Sequence, residues 1–338
     1  MKRYRMLLLL CLLLFSLTGC TRARGPVRCE IFSMDTHITI TCYGKEAEAA
    51  ADAAAQEIER LDRLWSIGVE DSEVNRINRA GSGSLSIETR EVLDTALRLY
   101  EETEGALDIT VLPLMELWGF TSRDPAVPTP EAIQETLSKV GAGRLKLNGP
   151  ELELEEGQGI DLGAIAKGYA SARAASIIAG FDVDGAVLSL GGNIQCVGKK
   201  PTNQGRVLWK IGIRRPDDGE GYLGVLTLTD KAVITSGGYE RFFEENGQRY
   251  HHILDPASGY PADGGLASVT IVSADGALAD GLSTACFVMG EERSVKYWRA
   301  HAGSFDMILL TDDGRLLVTE PLKEIFTSDM KIEIITKQ

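Results

Sequence analysis

Asp280 and Thr284 stand four residues apart, so a helix over 280–289 sets both oxygens on one face. A carboxylate, a hydroxyl and a backbone carbonyl are hard donors, suited to Mg²⁺ or Ca²⁺ rather than zinc. A second cluster lies in Ile160-Asp161-Leu162-Gly163-Ala164-Ile165-Ala166-Lys167-Gly168-Tyr169. It reads as a strand ending in an acid, a glycine turn, and an Ala-rich helix over 164–179. Bare N–H groups and small residues at a helix start let an anionic ligand approach. With Ser189-Leu190-Gly191-Gly192-Asn193, the pattern suggests a phosphorylated ligand held by a hard metal ion. Each feature also has an ordinary reading: Asp280 could cap its helix, and Asp161 with Gly163 could only make a tight turn.

Two further segments carry reactive side chains. Tyr250-His251-His252-Ile253-Leu254-Asp255-Pro256 runs from a strand into a proline-glycine loop. Its imidazoles could supply an acid, a base or an orienting donor. Strand alternation would instead send one histidine to the core and one to solvent. Tyr239-Glu240-Arg241-Phe242-Phe243 offers aromatic surface and a guanidinium, useful for a ring and a phosphate or for strand-edge packing. The chain has no Gly-x-Ser-x-Gly elbow, Walker A sequence, His-Glu-x-x-His or metal-spaced cysteine pair.

These residues need elements to position them. Residues 30–43 alternate at Ile38, Ile40 and Cys42, a strand signature. An Ala-rich helix over 45–65 places Ile58, Leu61 and Trp65 on one face, and Gly81-Ser82-Gly83-Ser84 reads as loop. Helices follow over 88–102 and 130–140, then a hairpin over 144–154 around Asn148-Gly149. Strands are expected at 187–190, 194–197, 208–213, 225–229, 233–236, 250–254, 268–273 and 307–311. Strands joined by short turns, with helices interspersed irregularly, favour an α+β domain over a doubly wound sheet.

The N-terminus reads as an export signal. Lys2, Arg3 and Arg5 precede an apolar stretch over 6–17, too short to span a bilayer. It closes on Leu17-Thr18-Gly19-Cys20, which matches the lipobox of bacterial lipoprotein signal peptides. The expected organisation is a signal peptide over 1–19, a lipidated tether over 20–28 and one domain over 29–338. Lipid on Cys20 would hold the domain at the cytoplasmic membrane, facing the periplasm or cell exterior. Cleavage removes three basic residues and no acids, taking the formal charge from -14 to about -17. That argues against nucleic acid as partner, and an anionic ligand would need a cation or local positive potential. Cys29, Cys42, Cys196 and Cys286 remain, best read as buried thiols, although export would permit a pair such as Cys29 with Cys42.

Taken in order, six motifs resemble the FAD:protein FMN transferases of the ApbE type, formerly labelled thiamine biosynthesis lipoproteins. They are Gly105-Ala106-Leu107-Asp108, Asp161-Leu162-Gly163-Ala164-Ile165-Ala166-Lys167-Gly168, Leu190-Gly191-Gly192-Asn193, Ser236-Gly237-Gly238-Tyr239-Glu240-Arg241, His252-Ile253-Leu254-Asp255-Pro256 and Ala279-Asp280-Gly281-Leu282-Ser283-Thr284-Ala285. The resemblance implies one ApbE-like α+β domain with a mainly antiparallel sheet. It also implies transfer of FMN from FAD to a threonine hydroxyl of a partner protein, with AMP released. Asp280, Thr284 and the carbonyl of Ala164 would hold Mg²⁺. Met34, Trp65, Ala106, Leu107, Asp108, Asp161, Lys167 and His252 would contact FAD. Asp280 or His252 would take the proton of the acceptor threonine. Leu107 departs from the family, which often has phenylalanine there, and His37 has no assigned role. The rival readings are a hydrolase splitting FAD into FMN and AMP, and a lipoprotein that binds flavin without chemistry.

Overall fold

The computed structural model describes residues 25–122, 124–216 and 221–338. The signal sequence and Cys20 therefore lie outside the described residues. The frame is a nine-stranded sheet with sequential spatial order. Its strands are β1 (Val27–Ser33), β2 (Thr36–Gly44), β3 (Val183–Leu190), β4 (Asn193–Gly198), β5 (Ala232–Gly237), β6 (Leu266–Ser273), β7 (Asp306–Thr311), β8 (Leu316–Thr319) and β9 (Ile332–Ile335). Eight strands pair antiparallel in series, and only β8 with β9 is parallel. The α+β expectation holds. β1 begins at Val27, two residues ahead of the boundary read at Cys29.

Strand periodicity assigns the two faces of the sheet. Ile234, Ile271 and Leu309 point to one side, their neighbours Val233, Val272 and Leu310 to the other, and all six are buried. Helices cover the first face: α1 (Ala47–Trp65), α6 (Ala166–Ile178) and α7 (Gly276–Ala300). The smaller helices are α2 (Glu73–Ala80), α3 (Ile87–Glu102), α4 (Leu112–Leu117) and α5 (Pro130–Leu137). A three-stranded sheet of Trp209–Arg214, Tyr222–Leu228 and Phe326–Thr327 covers the second face. In α1 the buried positions begin with five alanines, which let it lie close against α6 before Ile58, Leu61 and Trp65 fill the core. Among the described residues, no helix is long and apolar enough to cross a membrane.

Four expectations change. The strand read over 30–43 is a hairpin whose turn is Met34-Asp35, both at positive φ (51° and 56°), and alternation cannot reveal such a turn. Residues 82–84 form a short strand rather than loop, paired with Glu151–Glu153. No strand precedes Asp161: residues 154–165 are irregular, and α6 starts at Ala166, two residues after the expected helix start at Ala164. The helix bearing Asp280 starts at Gly276, capped by the Asp275 side chain on the N–H of Leu278. Asp280 is therefore free of the capping duty its position suggested.

Candidate active site

The site forms where α6 crosses α7 over one end of β4 and β5. Gly168 and Gly276 meet at the crossing. A Cβ on Gly168 would sit 2.5 Å from the Asp280 Cβ and closer still to the Gly276 carbonyl oxygen. Without that side chain, the N–H of Gly168 donates to Asp280 Oδ2 at 2.7 Å, and Asn193 Nδ2 donates to Oδ1 at 3.0 Å. Asp280 is only 4% exposed. Burial pushes its carboxyl up, against Lys167, the N–H of Gly168 and the Asn193 amide. Thr284 stands one turn along the same face, its hydroxyl 3.4 Å from Ser236 Oγ. Ser236 Oγ lies 2.7 Å from Ser283 Oγ, and Ser283 donates back to the Asp280 carbonyl at 2.8 Å. Ala164 sits in the turn leading to α6 and packs against the apolar cluster that includes Ala279 and Leu282.

Two hairpin tips and a buried turn border this crossing. Gly191-Gly192 makes the two-residue turn from β3 to β4, both glycines at positive φ. A Cβ on Gly191 would strike Thr36, so this tip abuts the Met34-Asp35 tip. Asp62 holds the latter: its Oδ2 accepts from Ser33 Oγ at 2.8 Å and from the N–H of Met34 at 2.9 Å. The N–H of Asp161 donates to the carbonyl of Ile109 at 2.8 Å, which lays the 106–110 segment alongside. Asp108 is buried, accepting from Thr110 at 2.6 and 2.7 Å and from the N–H of Ala142 at 3.1 Å. Burial pushes Asp161 up; Lys167 and Arg241 oppose this, and Asp35 adds to it.

The far wall comes from a hairpin of Phe242–Glu245 with Gln248–His251. Its rings join α4 and α5 in an aromatic cluster: Phe243 stacks on Tyr250 at 5.3 Å, and Trp118 lies 5.5 Å from Tyr250. At the open end of this hairpin the carbonyl of Arg241 accepts both the N–H of His252 at 3.0 Å and the Nδ1–H of His252 at 3.1 Å. His252 is pushed down to about 3 by burial, by the charges of Arg241 and Lys167 and by His251, so its imidazole is neutral. His251 turns the other way: its Nε2–H donates to the Ala262 carbonyl at 3.1 Å and its ring meets Phe287 edge-on. Glu240 is an exposed residue whose carboxyl is crowded by protein. That crowding pushes it up to about 7, with Lys167 and Arg214 opposing and Asp280 assisting.

Lys167 is the common neighbour of Asp161, Asp280, Glu240 and His252. The structure thus gathers Asp161, Lys167, His252, Asp280 and Thr284 about the α6–α7 crossing, with Ala164 in the turn before α6 and Met34 at the neighbouring hairpin tip. Leu107 instead stands in the core at 1% exposure, where a Cβ on Gly281 would lie 3.2 Å from its side chain. Its neighbours Ala106 and Asp108 are buried too, 5% and 6% exposed. Trp65 stands in the core, its Nε1–H bonded to Thr89 at 2.8 Å and its ring edge-on to Tyr169. Asn193, Ser236, Ser283, Asp62 and the paired glycines Gly168 and Gly276 carry roles that residue type alone did not assign. Asn193 and Ser236 were visible only as members of motifs, and Asp62 gave no signal because its partners lie in a turn 28 residues away.

The donor set suits a hard cation. Among the described residues there is no cluster of three or more His, Cys, Asp or Glu arranged for a metal. One buried carboxylate with free lone pairs and a hydroxyl one turn along the same helix face are donors of the kind Mg²⁺ takes, since it keeps several waters and needs few protein carboxylates.

Comparison with known proteins finds close similarity over most of the chain. The model of the ApbE family matches residues 34–309. The chain is 34% identical over 312 residues to the FAD:protein FMN transferase of Vibrio cholerae serotype O1, covering 89% of this chain and 92% of the relative. It is 32% identical over 336 residues to that of Treponema pallidum, covering 93% and 92%. Among solved structures, the ApbE protein of Thermotoga maritima superposes with a TM-score of 0.83 at 34% identity, covering 89% of this chain and 99% of that one. The flavin transferase ApbE of Vibrio cholerae gives 0.79 at 30% identity, with the same coverage.

Proposed function

The chain belongs to the ApbE family, and on that premise we propose that this site transfers FMN from FAD to a threonine hydroxyl of a partner protein. The observation that carries the reading is the buried carboxylate of Asp280, fixed by Gly168 and Asn193 with Thr284 on the same helix face. Asp280, Thr284 and the Ala164 carbonyl would hold Mg²⁺. When bound, it supplies positive charge against the phosphate oxygens.

The remaining roles fall to the chain's own groups. Lys167, the neighbour shared by Asp161 and Asp280, provides positive potential for a diphosphate inside a protein of formal charge -14. Asp161 and the tips at Met34 and Gly191 border the space for the flavin nucleotide. His252 is the better base of the two candidates. Its Nδ1 carries the proton donated to Arg241, and Nε2 has no hydrogen-bond partner among the described residues. Both Asp280 oxygens, by contrast, already receive donors. In the transfer, the threonine oxygen bonds the FMN phosphorus and its proton passes to His252 Nε2. The phosphoanhydride bond to AMP breaks, and AMP leaves with that electron pair. The export signal read over 1–19 and the lipid site at Cys20 belong to the same proposal: an enzyme tethered outside the cytoplasmic membrane, acting on exported or membrane flavoproteins.

The test uses the full chain in detergent with FAD, Mg²⁺ and a protein carrying the family's acceptor threonine motif. Mass spectrometry should find FMN on that threonine with an equal amount of AMP. EDTA or Asp280→Ala should lower the rate by at least about 100-fold. AMP with free FMN and no adduct would make the protein a hydrolase. FAD recovered whole would leave a flavin carrier.

A further inference from the structure

Arg241 meets His252 through its backbone and the aromatic cluster through its side chain. Its carbonyl accepts two donors from the one histidine, the N–H at 3.0 Å and Nδ1–H at 3.1 Å. Its Nη2 donates to the carbonyl of Phe120 at 2.6 Å. Phe120 lies just beyond α4, 5.7 Å ring to ring from Phe243 and 6.5 Å from Trp118. Arg241 and His252 stand one step outside the last pair of their hairpin, Phe242 with His251. A two-stranded hairpin of four-residue strands is marginal by itself and frays at its ends. The carbonyl that orders the imidazole therefore sits where the backbone is least held, unless something anchors it.

We propose that Arg241 is a positioning residue: the bond from its guanidinium to Phe120 fixes the carbonyl that keeps the His252 proton on Nδ1 and Nε2 bare. The proposal rests on the transferase reading and adds to it how the base is oriented. A carbonyl that accepts from one ring nitrogen decides the tautomer at the other. A small displacement of a catalytic group is costly in rate even when binding survives.

The charge of the same side chain acts in step with its geometry. Burial, the largest cause, and three groups disfavour a proton on His252: Arg241, Lys167 from α6, and the adjoining His251. A bound diphosphate offsets the two permanent cations, so the imidazole gains proton affinity when substrate is present. Loss of Arg241 removes one of these cations, which favours imidazolium and raises the pH below which the base is blocked.

The full chain in detergent, with FAD, Mg²⁺ and the acceptor protein, is compared as wild type, Arg241→Met and Arg241→Lys. Arg241→Met should lower kcat by about 10- to 100-fold while KM for FAD changes by less than about threefold. The acid limb of kcat against pH should move to higher pH. Arg241→Lys, which keeps a donor and a charge, should restore most of the rate and the limb. Nitrogen-15 NMR of labelled histidine, read without acceptor, should show His252 as the Nδ1–H tautomer in the wild type and as a mixture in Arg241→Met.

A single tautomer and an unmoved acid limb in Arg241→Met, with the loss confined to KM, would overturn the proposal and make Arg241 a ligand contact. Equal losses in Met and Lys with the tautomer unchanged would also overturn it. If the wild type forms no FMN adduct, the transferase reading fails by itself. The tautomer comparison still decides the role of Arg241.

Discussion

The two walls of the candidate site are built by opposite packing devices. At the crossing of α6 with α7, side chains are removed: Gly168 and Gly276 bring two backbones together, and the buried N–H of Gly168 donates to Asp280. At the opposite wall side chains are crowded in. Trp118, Phe120, Phe243 and Tyr250 fill the space between α4, α5 and a short hairpin that could not hold its own shape. The first wall takes its precision from helices locked over the sheet. The second takes it from rings wedged under loops. On the proposed function, the carboxylate to be held fixed lies on the first, and the imidazole that takes the proton lies on the second.

The sharpest test removes the keystone of the second wall. Trp118 is fully buried, and its Nε1–H donates to the Gly259 carbonyl at 2.8 Å. Trp118→Ala should cost about 3 to 5 kcal/mol. If the walls are separate, hydrogen exchange should show the loss concentrated in 111–120 and 241–261, with α6 and α7 still protected. Uniform loss across the molecule would make the two walls one cooperative unit.

The first wall should fail by the reverse substitution. Gly168→Ala adds one methyl group against the Gly276 carbonyl and the Asp280 Cβ, at positions neither helix can yield without shifting. It should destabilise by about 2 to 3 kcal/mol in a denaturant titration. Mg²⁺-dependent transfer should fall further than the stability loss explains. Unchanged stability would mean the helices separate readily at the crossing, and the contrast between walls would collapse.

The same contrast explains what the sequence disclosed. The sheet was legible because short continuous apolar runs such as Val233-Ile234 and Ile271-Val272 mark strands buried on both faces. Asp280 and Thr284 were legible as a pair because spacing by four survives a misplaced helix start. The role of Gly168 was hidden: its requirement comes from Gly276, 108 residues on, and no local pattern carries a helix crossing. The same holds for Asn193, whose amide reaches Asp280 only once β4 lies under α7. Trp65 misled in the other direction. A tryptophan at the end of an amphipathic helix reads equally as core or as ligand wall, and here it packs on Tyr169.

The rim at Met34-Asp35 asks which wall it follows. Two successive non-glycine residues at positive φ store strain, and the sheet ladder alone does not hold them. Asp62, from α1, accepts from Ser33 Oγ and the Met34 N–H, so the tip depends on a helix that packs with the first wall. Asp62→Ala removes two hydrogen bonds to a carboxylate and should cost about 1 to 2 kcal/mol, the smallest effect of the three. Because Asp35 stands within the field of Asp161, a relaxed tip should weaken FAD binding while leaving the tautomer of His252 unchanged. Isothermal titration with FAD, beside the histidine spectrum, separates these responses. Weaker binding with an unaltered His252 assigns the tip to the α6–α7 wall. A change at His252 would show that the walls communicate through the ligand space, and the division between them would then describe packing alone.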